Sequence, residues 1–386
     1  MTQTLILAGG GHAHLAVLAD WARRPLPDTE RWLVTSSSHT AYSGMLPGWL
    51  AGHYRARDLL IDLKPLCERA GARLILADVT GLDVARKTLS LSTGGKMGFD
   101  LLSLATGGET DIVSLAGLGG RLLPVKPVGA FMKGWAQFLK DRAPEYGAHP
   151  ESGVHVVIAG GGAAGVELAC AADQAIRGRF ANARVSLVTL KDSLLSGHDP
   201  QVRKRALAEL GKRQIQVHFA HATGAEGGVL LSNGDFLPAD CVIAATGSRA
   251  PGWLARSGIS CNAAGFVAVG ADMRSISHDC IFAAGDIIDR VDREMERSGV
   301  HAVKAGPVVA ANLRAVIGAR PLRKYQPRKR SLYLLAMGGR RAIVSWGGLS
   351  WGGAAAAGRW AWRIKDWIDR SFVRRYTIRS RRKIHA

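Results

Sequence analysis

Apolar positions along this chain fall into short runs that stop at glycines, and the runs recur. Residues 5–8 form an apolar stretch suited to a buried strand. Gly9 and Gly11 then break the run, and residues 13–22 have the character of a helix. A second apolar stretch, 31–35, leads into three serines beginning at Ser36. The order strand, glycine turn, helix returns at 154–172, "VHVVIAGGGAAGVELACAA", with Gly160, Gly162 and Gly165 in complete GxGxxG spacing. This stretch does not suit a membrane span: His155 and Glu167 interrupt it, and glycine costs a helix about 1 kcal/mol per residue. Two further apolar strands, 99–109 and 239–251, each end in Ala-Thr-Gly, at Thr106-Gly107 and Thr246-Gly247. A third, 279–287, delivers Gly285 and Asp286 at its carboxyl end.

Beyond "KYQPRKR" the pattern changes. The β-rich runs of 331–346 surround Gly338-Gly339 and predict a hairpin, and 346–360, "WGGLSWGGAAAAGRW", reads as a flexible apolar connector. In 359–376, Trp360, Ile364, Trp367 and Ile368 recur at i, i+4, i+7 and i+8, extended by Phe372. This predicts an amphipathic helix that either covers its own domain or lies on a membrane. At 386 residues the chain suits two or three domains.

A glycine turn between strand and helix lets backbone N–H groups approach a pyrophosphate at the positive end of the helix dipole. The third glycine of such a turn serves close packing of helix on strand. In the first turn His14 stands there instead. A carboxylate normally follows the second strand and holds a ribose hydroxyl; Ser36 follows it in the first unit. In the second unit Thr189 occupies that place, and Lys191 nearby is either a contact for the 2′-phosphate of NADPH or a solvated lysine.

The five cysteines, Cys67, Cys170, Cys241, Cys261 and Cys280, form no CxxC or CxxxxC pair, which argues against a disulfide reductase and a secreted disulfide scaffold. The chain opens on a strand without a signal peptide, so a cytoplasmic location is expected. The formal charge of +20 favours anionic partners: nucleotides, acidic lipid surfaces or nucleic acid. Residues 359–386 hold ten Lys and Arg against Asp366 and Asp369, but no nucleic-acid-binding motif is present.

The ordered set "GGGHAHL", "FDLLSLATG", "GGGAAGVELA", "AATG" and "IFAAGD" resembles the two-dinucleotide-domain flavoprotein oxidoreductases. Within them it is most similar to type II NADH dehydrogenases, sulfide:quinone oxidoreductases and the flavoprotein domain sometimes fused to selenide, water dikinase. For the last, the match extends to "YSGMLPGWLAGHY", "PVKPV", "HAVKAGPVVAANLRAVIG" and "WRIKDWIDRSF". The resemblance implies an α/β fold: two Rossmann-like domains, one inserted in the other, and a small C-terminal α+β domain. The expected limits are 1–115 with 255–322 for an FAD domain, 116–254 for an NAD(P) domain, and 323–386 for the hairpin and basic amphipathic helix.

By the same resemblance FAD is held by Gly9, Gly11, His12 and Ala13 at the pyrophosphate, with Ser36 at the ribose and Val79 at the adenine. The loop 42–47, ending in Pro47, lies beside the isoalloxazine ring. Thr106, Gly107 and Gly285 line the site, Asp286 bonds the ribityl chain, and Lys304 lies where a helix N-terminus faces the flavin pyrimidine. NAD(P)H falls to Gly160, Gly162, Ala163, Ala164, Gly165, Thr189, Thr246 and Gly247. Glu167 and Lys126 are the expected catalytic groups, and no metal is expected. The glutamine of the family's quinone site is replaced by Ala305.

The implied function is electron transfer from NAD(P)H through FAD to a quinone or similar acceptor. Alternatives are a sulfide- or selenide-oxidising flavoprotein and a basic flavin-containing binding protein. The implied partners are the acceptor and an anionic membrane surface, on the inner face of the cytoplasmic membrane. A homodimer is an assembly the resemblance allows.

Overall fold

The computed structural model describes residues 2–148, 153–327, 331–346, 349–351 and 355–378. Its core holds two five-stranded parallel sheets. In the first, the order is Ile281–Ala283, Leu101–Leu104, Gln3–Ala8, Thr29–Thr35, Arg73–Leu76. In the second it is Leu122–Pro124, Cys241–Ala244, Val154–Ala159, Ala183–Thr189, Gln216–Phe219. The near-continuous apolar runs of the sequence follow from this: a parallel strand covered on both faces has no solvent side to mark with polar residues. Ile6, Leu7, Val156 and Ile158 are accordingly fully buried.

Each sheet carries a three-stranded antiparallel meander, Val79–Asp83 with Thr88–Leu91 and Lys96–Gly98 in one unit, Ala222–Ala225 with Gly228–Leu231 and Phe236–Pro238 in the other. The chain crosses between the units through a short antiparallel ladder in which Glu109 pairs with Arg249 and Thr110 with Ser248. The first sheet therefore draws its strands from both sides of the second, and the two units are Rossmann-like.

The third unit is a hairpin, Leu332–Ala336 with Ala342–Trp346, closed by a turn with Gly338 and Gly339 at positive φ. Leu349–Trp351 adds a third strand within the stretch expected to be a connector, and the last helix, Ala355–Tyr376, begins before residue 359. The remainder of that stretch, 347–348 and 352–354, lies outside the described residues, as do the basic residues of 379–386.

The last helix has two apolar faces. The stripe Trp360, Ile364, Trp367 and Ile368 faces solvent, with Trp360 63% and Trp367 68% exposed. Trp362, Lys365, Asp369, Val373 and Tyr376 are buried against the body. Phe372, which extends the stripe by sequence spacing, belongs to this buried face.

Candidate functional site

The first glycine turn is shaped by the strand beside it. Gly9 has φ +96°, and a Cβ there would sit 2.4 Å from the carbonyl oxygen of Ala105; one on Gly11 would sit 2.5 Å from the same atom. Only bare backbone fits between strand end and helix start. Gly11 then caps the helix His12–Arg23 without any side-chain bond, which leaves the first-turn N–H groups of His12 and Ala13 for an anion.

The third-glycine position differs between the two turns. At Gly165 a Cβ would lie 1.8 Å from the carbonyl oxygen of Gly160. His14 in the first turn instead uses its ring: Nδ1 donates to Gly9 O at 2.6 Å, and Nε2 accepts from the Ser103 hydroxyl at 2.9 Å. Burial pushes His14 down to about 4, so it is neutral and structural.

Around the first turn lie several groups suited to FAD. The Thr106 hydroxyl is buried without a hydrogen-bond partner, and Gly107 at φ +79° has open space above it. Asp286 follows Gly285, whose φ of +82° turns the chain out of the strand Ile281–Ala283. Lys304 lies on the helix Gly299–Ile317, whose capping Ser298 makes no side-chain cap bond. Val79 opens the first meander strand, and Pro47 is buried in the short helix Leu46–Leu50. An orphaned hydroxyl, a side-chain-free cradle and a carboxylate at a strand end fit the cofactor.

Ser36 is exposed. The residue packed over the turn is Thr35, whose Oγ1 would lie 3.0 Å from a Cβ on Gly10, much as Thr189 Oγ1 would lie 2.2 Å from one on Gly161. Both units thus place a threonine where a ribose-binding acid is usual. Thr35 ends the apolar run 31–35, so strand spacing alone marks it as a strand residue and gives no sign of this contact.

In the second turn Gly160 has φ +119° and meets Ala245, while Gly162 and Gly247 face open space. Ala163 and Ala164 begin the helix Ala163–Arg177. Unlike Thr106, Thr246 is already engaged, donating to the Asp111 carbonyl.

Glu167, on that helix, turns toward the C-terminal unit and accepts a hydrogen bond from the Ala336 N–H at 2.6 Å. Burial pushes its carboxyl up to about 7, opposed by the nearby Lys365 ammonium. Lys365 Nζ donates to Gly44 O at 2.7 Å and to Asp369 Oδ2 at 2.9 Å. The Tyr42 hydroxyl also bonds Asp369, whose carboxyl is raised by burial. Above Asp369, Tyr42 stacks on Phe372 with centroids 4.3 Å apart, and His12 meets Tyr42 edge-on at 5.5 Å. The nucleotide helix, the 42–47 loop and the last helix thereby meet in one buried cluster beside the first turn. By sequence, Asp369 counts only toward the charge of 359–386 and Lys365 is not singled out; the i, i+4 spacing of the two is the signal that pairs them.

Residues 3–306 match the family described as pyridine nucleotide-disulphide oxidoreductase. The chain belongs to this family. As a member it is an oxidoreductase that uses FAD and NAD(P)H. Among solved structures it is similar to the sulfide:quinone oxidoreductase of the hyperthermophilic bacterium Aquifex aeolicus (17% identity, 98% of this chain and 93% of that one, TM-score 0.78). It is also similar to NDH2 of Plasmodium falciparum in complex with NADH (13% identity, 97% and 98%, TM-score 0.79). A third is the NAD-dependent persulfide reductase of A. fulgidus (17% identity, 93% and 65%, TM-score 0.73). At such identities the likeness is one of fold. The family's disulfide chemistry has no counterpart in the cysteines: all five are free, and burial pushes the Cys67, Cys170 and Cys241 thiols up to about 12, suppressing the thiolate.

Glu167 gives a pH signature. With its ordinary value of 4.5 raised to about 7, its contribution to stability is complete below about pH 4.5 and is lost as pH rises through 7. Glu167→Gln is expected to flatten the fall in Tm between pH 5 and 8 and to remove the limb near pH 7 from the turnover profile. Superimposable wild-type and variant profiles would exclude Glu167 from proton exchange.

Proposed function

We propose that this oxidoreductase passes electrons from NAD(P)H, through FAD at the first glycine turn, to a quinone dissolved in a membrane. The observation that carries the reading is the two-faced last helix. Its inner face supplies Lys365, Asp369 and Phe372 to the buried cluster, and its outer face presents Trp360, Ile364, Trp367 and Ile368 to solvent beside Arg363 and Arg374. Indoles favour the bilayer interface, and each basic residue adds about 1 kcal/mol near anionic lipid. One helix therefore joins the buried cluster to the surface where an apolar acceptor resides. Among the described residues no helix is long and apolar enough to cross a membrane.

Bound FAD supplies the two-electron chemistry. The chain supplies position and protons. The glycine turns hold pyrophosphates, Asp286 orients the ribityl chain, and Glu167 exchanges a proton at its carboxyl near neutral pH. Lys365, Asp369 and Tyr42 form a hydrogen-bonded line from the 42–47 loop into the C-terminal helix, suited to replacing protons consumed when a quinone becomes a quinol. Ala305 is buried and offers no polar side chain to an acceptor.

Anaerobic mixing tests the donor and the acceptor: NADH or NADPH should bleach the flavin, and a short-chain quinone should restore its colour. Bleaching by sulfide and by neither nucleotide would favour the sulfide-oxidising alternative. For the membrane, Trp360→Ser with Trp367→Ser should lower partitioning onto anionic vesicles about tenfold or more, which is ~1.4 kcal/mol, with flavin content unchanged. Equal sedimentation of variant and wild type at low salt would rule out this face. Deleting the helix is a poorer test, because Trp362, Phe372 and Tyr376 leave the core with it.

A further inference from the structure

Lys126 lies between Pro124 and Pro127 just beyond the edge strand Leu122–Pro124 of the second sheet, yet its ammonium reaches the first unit. Nζ donates to Asp286 Oδ2 at 2.5 Å and to Ser248 Oγ at 2.7 Å, and the backbone N–H of Lys126 donates to Thr110 Oγ1 at 2.9 Å. Thr110 and Ser248 are directly opposed in the ladder where the chain crosses between the units. One residue therefore bonds both members of that cross-strand pair and the carboxylate at the end of the first sheet. The prolines on either side restrict the backbone from which the side chain reaches. Gly108 completes the fit: a Cβ there would lie 2.7 Å from Ser248 Oγ and 3.3 Å from the Asp286 carbonyl.

We propose that Lys126 is a positioning residue that fixes the Asp286 carboxylate in its FAD-binding orientation and locks the crossing between the two units, so that FAD retention is set in part from the nucleotide unit. This rests on the reading that the first turn holds FAD. Lys126 is 31% exposed and Asp286 18%, so the pair is partly shielded and outweighs an open surface ion pair. The ammonium also balances the charge of Asp286. Without it, an uncompensated carboxylate would stand beside the cofactor and disfavour the anionic, reduced form.

Lys126→Met is expected to raise the FAD dissociation constant about tenfold. It should also favour the oxidised over the reduced flavin about tenfold, a shift of ~30 mV to lower two-electron midpoint potential. Lys126→Arg should restore most of both. Because Lys126 acts through Asp286, its effect should vanish in an Asp286→Asn background, where the carboxylate charge is gone. Wild-type affinity and potential in Lys126→Met would overturn the proposal, and so would a Lys126→Met effect that persists in full beside Asp286→Asn. If the wild-type protein bound no FAD, the reading of the first turn would fail by itself. Thermal unfolding of the FAD-free protein would then decide the clasp: Lys126→Met should lower Tm and Asp286→Asn should partly restore it, whereas an unchanged Tm would overturn it.

Discussion

Asp286→Ala is expected to weaken FAD binding about ten- to hundred-fold. A hydrogen bond to an ionised group contributes roughly 1.5–3 kcal/mol, and each ~1.4 kcal/mol is a factor of ten in affinity. The loss has a second source, because Asp286 also neutralises Lys126 at 2.5 Å. Removing the carboxylate leaves that ammonium partly buried without its counterion. Asp286→Asn, which keeps the shape and part of the hydrogen bonding, should fall between alanine and wild type. Titration of the FAD-free protein with FAD, followed by flavin fluorescence, measures all three. An alanine variant that stays fully yellow through gel filtration would remove Asp286 from the site.

Gly165→Val is expected to slow flavin reduction by NAD(P)H on the order of a hundredfold, while FAD content stays near wild type. A Cβ at this position would lie 1.8 Å from the Gly160 carbonyl oxygen, so the helix must move away from the turn that would hold the pyrophosphate. Misplacement of a bound group by about 1 Å costs on the order of a hundredfold in rate. The first turn accommodates a side chain at the equivalent position, where His14 Nδ1 donates to Gly9 O. Stopped-flow reduction with NADH and NADPH, beside FAD content and circular dichroism, separates lost nucleotide contact from unfolding. Wild-type reduction rates would mean that the second turn does not carry the pyridine nucleotide.

Several features of this protein were determined by the sequence alone, and they are the local ones. Gly9, Gly160 and Gly285 announce turns because positive φ is open to glycine and closed to most other residues, whatever surrounds them. The strand, turn, helix order of both units followed from apolar runs of strand length broken by those glycines, and the helix of 359–376 from its 3.6-residue period. Local spacing stops being informative where two faces compete. The last helix carries tryptophans at 360, 362 and 367, so its pattern supports two stripes, and only packing decided that Trp362 and Phe372 go inward while Trp360 and Trp367 face solvent.

The contacts that give the site its chemistry were decided by tertiary structure. Lys126 meets Asp286 across 160 positions, and Lys365 meets Gly44 across 321. Neither pairing has a sequence signature: the first forms where the chain crosses between the two sheets and the second where the last helix packs on the 42–47 loop, and no local spacing encodes either. Charge read along the chain counts Lys365 and Asp369 only as part of a basic C-terminal segment. Folding buries them as a bonded pair beside Glu167, because an ion pair within hydrogen-bond reach can leave water where a lone charge cannot.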